Sequence, residues 1–334
     1  LPAALLPPLC GLLALLSAVA LLPGSKNSVR GCVLLSLAGV TFFLFVRPGI
    51  THSQYKDLRK TLDLPGAEII VEEPSTFGQL HIVTAPVLRS ATALSLLWQG
   101  EMPSSPAVFI NGDMLGSIPS VIGRKNPMNA TTSALPFALA SPERVLVLNA
   151  GTAQHVALAL GHGAEEIVAV EPHRVLLREL SKLASGQNAS VFTSERVTWH
   201  SEASRTWLAR DTTRYDLIML PDIGSSGGNA GLFALHEQPL LTKQALQQAW
   251  QKLTPGGYLS LTTWIDYPVR SPLRLLATLV ELLEESGAEP TEHIAALRSW
   301  GTLTFCIKKT PLDSDEIAAA RYFAKRWAFD TALL

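Results

Sequence analysis

The stretch RVLVLNAGTAQHVALALGHGAEEIVAVEP, at residues 144–172, decides the fold. Its first apolar run, 144–148, enters the turn 149–153, and a helical pattern of apolar residues follows and stops at a glycine. A second apolar run then ends at Glu171. A strand, a glycine-containing turn, a helix and a second strand form a βαβ unit, in which the two strands are parallel. The stretch therefore predicts an α/β domain built on a parallel sheet.

The same alternation continues toward the C-terminus. Strand patterns alternate with helical ones, and in such domains helices cover both faces of the sheet. The further strands are predicted at residues 197–203, 215–222, 258–264 and 297–309. Ligands of these sheets bind beyond the carboxyl ends of the strands. The residues that follow each strand are therefore the candidates for a binding site.

Before this domain the apolar residues recur with a period of two, which is typical of strands. Short strands are predicted at residues 66–73, 77–85, 93–100 and 107–113. Asn111-Gly112 is a strong hairpin-turn sequence. The pattern predicts a small antiparallel β domain, followed by a linker with a helix at its end.

Candidate binding residues lie at three consecutive strand ends. The first is the turn with Asn149 and Gly151, where a glycine lets a ligand approach the backbone. The second is Glu171, because a carboxylate at that distance from the turn can accept the hydroxyls of a ribose. The third is Glu202, which can accept an adenine amino group. Alternatively, Gly151 serves only a tight turn and the two acids are solvated strand ends.

Charge and cysteine content exclude some classes of function. The chain has 334 residues and a net charge of −1, so nucleic acid is not an expected partner. Its three cysteines form no CxxC motif and no Cys/His spacing. Neither a metal site nor a disulfide framework is therefore predicted.

Two apolar segments near the N-terminus predict a membrane anchor. Residues 3–22 carry no charge, and residues 31–46 are apolar between Arg30 and Arg47. They favour a hairpin of two transmembrane helices with the lipid bilayer as partner. The basic residues after the second segment favour an inner- or plasma-membrane protein with its main domain in the cytoplasm. A cleaved signal peptide and a buried hairpin are the alternatives.

The predicted division of the chain has four parts. They are a transmembrane hairpin (1–48), a linker with a short helix (49–66), the small β domain with its linker (67–141) and the Rossmann-like domain (142–334). Since the chain begins with Leu1, a fragment with further spans upstream is also expected as an alternative.

Several stretches resemble the spermidine synthase family, above all its bacterial membrane-integrated branch. They include HSQYKDLRKTLDLPGAEII (52–70), the stretch 144–172, YDLIMLPD (215–222) and RSWGTLTFCIKK (298–309). The resemblance covers residues 52–330. It implies an S-adenosylmethionine-dependent methyltransferase-like fold and, as cofactor, S-adenosylmethionine or its decarboxylated form.

The resemblance also assigns roles to single residues. By this match Asn149 and Gly151 lie in the cofactor turn, Glu171 is at the ribose position and Glu202 at the adenine position. Soluble members carry a general-base aspartate directly after the fourth strand. This chain has Pro221 there and Asp222 one residue later, so Asp222 is the candidate catalytic base.

The amine-binding residues of the family have no counterpart. Soluble members hold the polyamine with a tyrosine and acids before the first strand of the α/β domain, whereas the matching MNATTSALPFAL (128–139) contains neither. Three functions follow as hypotheses. The chain transfers an aminopropyl or methyl group to an unknown acceptor, or it is an inactive subunit that anchors or scaffolds a membrane complex, or it senses an adenosyl nucleotide.

Overall fold

The computed structural model describes residues 53–91, 93–185, 190–223 and 238–334. It also describes 10–14, 17, 31, 33, 35–39 and 41. Within this part the chain forms two sheets, one of four strands and one of eight.

The small sheet is antiparallel, and its strands are neighbours in chain order. Its elements are α1 (Asp57–Leu62), β1 (Glu68–Ser75), β2 (Gly78–Thr84), β3 (Ala107–Ile110) and β4 (Asp113–Ser117). The predicted Asn111-Gly112 turn joins β3 to β4, and both residues have positive φ. Two-residue hairpin turns of this kind need such angles at both positions, which asparagine and glycine tolerate best.

The strand predicted at 93–100 is not a strand in the structure. Ser95 is bonded elsewhere, since its N–H donates to the Ala130 carbonyl and its hydroxyl to the Trp327 carbonyl. Leu96 is 87% exposed. The segment therefore crosses the surface of the α/β domain instead of pairing with the small sheet.

The large sheet has the order β12-β10-β11-β9-β8-β5-β6-β7. Strands β5 to β9 are parallel where they pair, and the others are antiparallel. The strands are β5 (Arg144–Leu148), β6 (Glu166–Val170), β7 (Val197–His200), β8 (Tyr215–Ile223), β9 (Leu253–Trp264), β10 (Ile294–Arg298), β11 (Thr302–Lys308) and β12 (Asp330–Leu333). The helices are α2 (Leu135–Leu139), α3 (Gln154–Gly161), α4 (Arg174–Ala184), α5 (Ser204–Arg210), α6 (Lys243–Gln251), α7 (Ser271–Glu285), α8 (Pro290–His293) and α9 (Ser314–Trp327).

Helices cover both faces of the large sheet, as the alternation predicts. Val145 and Val147 of β5 pack in one core with residues of α2, α3 and α9. Leu146 and Leu148 pack in a second core with residues of α5, α6 and α7. Because successive side chains of a strand point to opposite faces, the continuous apolar run of β5 buries both.

The single strand predicted at 297–309 is divided into β10 and β11. The Ser299 hydroxyl accepts hydrogen bonds from the N–H groups of Gly301 and Thr302 and closes a tight turn between them. The two strands pair antiparallel, from Ile294 opposite Ile307 to Arg298 opposite Leu303.

The transmembrane hairpin predicted at 3–22 and 31–46 is contradicted, and with it the inner- or plasma-membrane localisation. Among the described residues, no helix is both long enough and apolar enough to cross a bilayer. The longest described helix, α7, has 15 residues, whereas a span needs about 20. Most of the two predicted segments lies outside the described residues.

Candidate functional site

The turn between β5 and α3 has an unusual backbone. Asn149, Gly151 and Ala153 all have positive φ, at 53°, 54° and 73°. Left-handed conformations cost non-glycine residues about 1 kcal/mol or more, so the surroundings must hold the turn in place. A Cβ added to Gly151 would meet only the Asn149 carbonyl oxygen, at 3.9 Å. The outer side of the turn is therefore open to a ligand.

The Glu171 carboxylate holds this turn against the end of β6. The side chain is 6% exposed. Its Oε2 accepts the Gly151 N–H at 2.8 Å, and its Oε1 accepts the His173 N–H at 2.9 Å. Burial raises the pKa of the Glu171 carboxyl, and the two backbone hydrogen bonds oppose this effect. Each carboxylate oxygen has a further lone pair that can accept a ligand hydroxyl.

Asn149 connects the turn to the next part of the site. Its Oδ1 accepts a hydrogen bond of 2.7 Å from the Ser204 hydroxyl, which in turn accepts the Asn149 N–H at 3.1 Å. Ser204 is the first residue of α5, which follows β7. The ends of β5 and β7 are thereby linked on the side where Glu171 ends β6.

Glu202 is paired with a cation. Its Oε1 lies 2.5 Å from Nη2 of Arg210, and its side chain is partly buried. Arg210 also lies over the ring of Trp207, with Cζ 5.1 Å from the centroid. The His200 ring packs against Trp207 from β7, at 4.0 Å between centroids. One carboxylate oxygen of Glu202 is therefore engaged by Arg210, and a ligand amino group would compete with it or use the other oxygen.

The fourth strand end carries Pro221 and Asp222. The structure extends β8 to Ile223, and its pairing with β9 shifts register between Leu220 and Ile223. Proline has no N–H to donate to the ladder, which explains the interruption. The side chain of Asp222 lies outside the described part of the chain, so its role as a base stays a prediction.

His173 was missed by the sequence reasoning, although it lies only two residues after Glu171. It is 2% exposed, and its Nδ1 accepts the Leu176 N–H at 3.0 Å. The neutral ring therefore carries its proton on Nε2, which donates to the Ser75 hydroxyl at 3.1 Å. Phe77 stacks on the same ring at 4.9 Å. His173 thus joins the β1–β2 hairpin of the small sheet to the end of β6.

A cleft opens beside the turn and was also missed. It extends from Thr152, Gln154 and His155 to Thr262 and Thr302. Strand β4 of the small sheet and the segments between the two sheets supply its other walls. Its polar lining consists of nine serines and threonines, two amides and one histidine. Among the described residues that line it, none is Asp, Glu, Lys or Arg.

Buried hydroxyls form the floor of the cleft. The Thr132 hydroxyl lies 2.9 Å from those of Thr302 and Thr304, and Thr304 lies 2.9 Å from Thr262. Ser133 donates to Thr262 at 3.2 Å. The short 3₁₀ helix Thr132–Ala134 is thereby bonded to β9 and β11 through uncharged groups.

These features define the class of protein as a Rossmann-like α/β fold with polar side chains gathered at the ends of β5, β6 and β7. Spermidine synthases are among the similar solved structures, all with less than 25% identity. The probable spermidine synthase of Corynebacterium glutamicum is 16% identical over 78% of this chain and 87% of that chain, with a TM-score of 0.52. The Thermotoga maritima spermidine synthase is 13% identical over the same shares, with a TM-score of 0.47.

No protein-family model matches the chain. No curated protein matches it either. The likeness to the Corynebacterium protein confirms the spermidine-synthase-like fold that the sequence predicts. It does not confirm the membrane-integrated branch.

Proposed function

We propose that the chain binds an adenosyl sulfonium at the ends of β5, β6 and β7 and transfers an alkyl group from it to a nucleophilic atom of an acceptor in the adjacent cleft. The carbon–sulfur bond would break as the bond to the acceptor forms, the neutral thioether would leave, and the acceptor would lose its proton to a base, for which Asp222 is the candidate. The observation that carries the proposal is the buried Glu171 carboxylate, which is bonded to the turn at Gly151. A buried carboxylate is costly, and such costs concentrate at functional sites. Ribose hydroxyls would supply the donors that this carboxylate still lacks.

The residues present fit the nucleoside part of such a cofactor. The open side of Gly151 leaves room for the ligand, Glu171 would accept the ribose hydroxyls and Glu202 the adenine amino group. Bound S-adenosylmethionine or its decarboxylated form would supply an electrophilic carbon next to a sulfonium. The chain contributes the positioning of an acceptor against that carbon, and positioning alone can supply a large part of a rate enhancement.

The lining of the cleft bears on which group is transferred. A polyamine acceptor is a cation, and burying it requires carboxylates that replace its water. The described lining offers none. The geometry therefore favours transfer of a methyl group to an uncharged acceptor over transfer of an aminopropyl group to a polyamine.

An inactive scaffold subunit is the second candidate, and two observations favour it. Pro221 occupies the position of the family's base, and Arg210 already engages Glu202. Such a protein would bind a nucleoside without turnover, or bind none.

Calorimetric titration of the full chain tests the proposal. The ligands are S-adenosylmethionine, its decarboxylated form and methylthioadenosine. At least one should bind, and Glu171→Gln should weaken that binding about tenfold or more. Glu165→Gln, at an exposed glutamate, is the matched control. Absence of binding by all three ligands would contradict the proposal. Label transfer from methyl-labelled S-adenosylmethionine to a small-molecule extract separates the enzyme from the scaffold.

A further inference from the structure

The cleft beside the turn has chemistry of its own. A bound cation would need acidic partners and a bound anion would need basic ones, because moving an unpaired charge out of water is costly. The described lining contains neither kind, and His155 is its one titratable side chain other than hydroxyls. The cleft is therefore suited to a ligand group without charge.

Asn126 places a buried side-chain amide in the lining of the cleft. It is 2% exposed and lines the cleft. Its Oδ1 accepts the Met128 N–H at 2.9 Å, which assigns the other amide atom as the NH₂ group. Within the described residues, this Nδ2 has no hydrogen-bond partner. A buried donor without an acceptor destabilises the protein, so a ligand oxygen that accepts its hydrogen bond would relieve that destabilisation.

The hydroxyl groups at the floor of the cleft also favour an uncharged ligand group. Thr302 and Thr262 line the cleft, and both are bonded to other hydroxyls behind them. Their orientations are fixed by neutral neighbours, and the Thr132 and Thr304 side chains behind them are fully buried. This part of the described wall thus offers ordered dipoles that are backed by uncharged side chains.

We propose that the cleft is a binding site for an uncharged polar group whose carbonyl oxygen accepts a hydrogen bond from Asn126 Nδ2. Amides, esters and ketones are the ligand class. As the acceptor site of a transfer reaction this inference rests on the proposed function. As a binding site it rests on the cleft alone.

Three fragments of equal size and different charge test the inference. They are propionamide, propylammonium and propionate, added to the full chain at about pH 8, above the usual range of imidazoles. The readout is the side-chain amide resonance of Asn126 in heteronuclear NMR spectra, assigned by its loss in Asn126→Ala. Propionamide should shift this resonance saturably, and the charged fragments should not. A charged fragment that shifts it as strongly, or no shift by any fragment, would overturn the inference.

Asn126→Asp sharpens the test. Aspartate keeps an oxygen for the Met128 N–H but replaces the amide donor with a charge. The preference should reverse, so that propylammonium binds this variant about tenfold or more tightly than it binds the native chain. Gln247→Glu changes the charge equally at an exposed position of α6 and should leave the preference unchanged. An unchanged order of fragments in Asn126→Asp would contradict a role for Nδ2.

Failure of this inference can be told apart from failure of the proposed function. If the fragments behave as expected while no adenosyl ligand binds, the proposed function fails and the cleft remains a binding site. If adenosyl ligands bind but propylammonium is preferred over propionamide, the inference fails and the nucleoside site remains.

Discussion

The two halves of the candidate site are built from different chemistry, although Thr152 of the turn belongs to the wall of the second. The half around the turn, which is the proposed nucleoside half, uses carboxylates: Glu171 accepts backbone N–H groups and Glu202 pairs with Arg210. Besides His155, the polar side chains in the described lining of the cleft are all uncharged hydroxyls and amides. Under the proposed function, the contrast teaches that holding a nucleoside and binding an acceptor are separate demands, which a chain can meet or lose independently.

Glu171→Ala should have the largest effect on the nucleoside half. The substitution removes the acceptor of the Gly151 and His173 N–H groups, and each donor left unpaired costs about 1–3 kcal/mol. Unfolding in urea should show a loss of about 2–5 kcal/mol in the free energy of unfolding. Glu165→Ala, at an exposed position, should change it by less than about 0.5 kcal/mol. Equal effects of the two substitutions would show that Glu171 does not hold the turn.

The contribution of Glu171 to the free energy of unfolding depends on pH in a definite direction. Because burial raises the pKa of Glu171 above its ordinary 4.5, the folded state favours the protonated form. The stabilisation that results from this raised pKa is fully present below the pKa of Glu171 in the unfolded chain, and it is lost as pH rises through the pKa in the folded chain. The stability of the native chain relative to Glu171→Gln should therefore fall with rising pH over that window. A difference that rises with pH would contradict the direction of the shift.

Gly116→Ala tests the boundary between the two halves. A Cβ on Gly116 in β4 would lie 3.0 Å from the Oγ1 of Thr152, which is buried in the turn. We expect a loss of about 1–3 kcal/mol in stability, because the φ of 155° at Gly116 disfavours a side chain and Thr152 must give way. The shift of the turn should also weaken adenosyl binding. Gly123→Ala is the control, since Gly123 also has positive φ but an added Cβ there meets nothing within 4 Å. Unchanged ligand affinity in Gly116→Ala would show that the contact between the small sheet and Thr152 does not influence adenosyl binding.

His173→Asn tests the contact between the small sheet and the nucleoside half. Asparagine can still accept the Leu176 N–H but loses the bond to Ser75, at a cost of about 0.5–1.5 kcal/mol near neutral pH. Burial lowers the pKa of His173, so its contribution is present above the unfolded value of 6.5 and is lost as pH falls through the folded pKa. The difference between the native chain and the variant should shrink in acid. Denaturant titrations at several pH values measure it, and a difference that grows in acid would refute this assignment.

Arg210→Gln should have the smallest effect and the opposite direction. If Glu202 accepts the adenine amino group, removing its competing cation should strengthen adenosyl binding. Exposed ion pairs contribute about 0.2–1 kcal/mol, which corresponds to up to about fivefold in affinity. The same calorimetric titration measures this change. A weaker affinity in the variant would show that Arg210 itself contacts the ligand.

Much of the α/β domain could be predicted from the chain because its signals are local. The apolar run of β5, the turn at Gly151 and the acid at Glu171 lie within one βαβ unit, whose geometry is nearly fixed. Their proximity follows from that geometry, and the structure places Gly151 N 2.8 Å from Glu171 Oε2. Which ligand they hold stays a prediction, as do the roles of Asn149, Glu202 and Asp222.

The cleft could not be predicted, because its walls come from distant parts of the chain. Asn126, Thr262 and Thr302 meet only after β9 and β11 have paired and the segment before β5 has crossed them. The Arg210–Glu202 pair likewise depends on side-chain conformations that no periodicity encodes. The prediction of a strand at 93–100 was wrong for a related reason, since the apolar pattern does not reveal that Ser95 bonds to Trp327.

The hydrogen bond between His173 and Ser75 has a consequence for the energetics of the whole molecule. His173 supports both the β1–β2 hairpin and the Glu171 carboxylate. Its N–H donates to the carboxylate, and its ring bonds to Ser75 of the hairpin. Coupling between two such positions is reciprocal: the free energy that the hairpin contact adds to ligand binding at Glu171 equals the free energy that ligand binding adds to the hairpin contact. Hydrogen exchange in the hairpin would then slow upon nucleoside binding. The exchange rate of the small sheet would thus report whether a site outside that sheet is occupied.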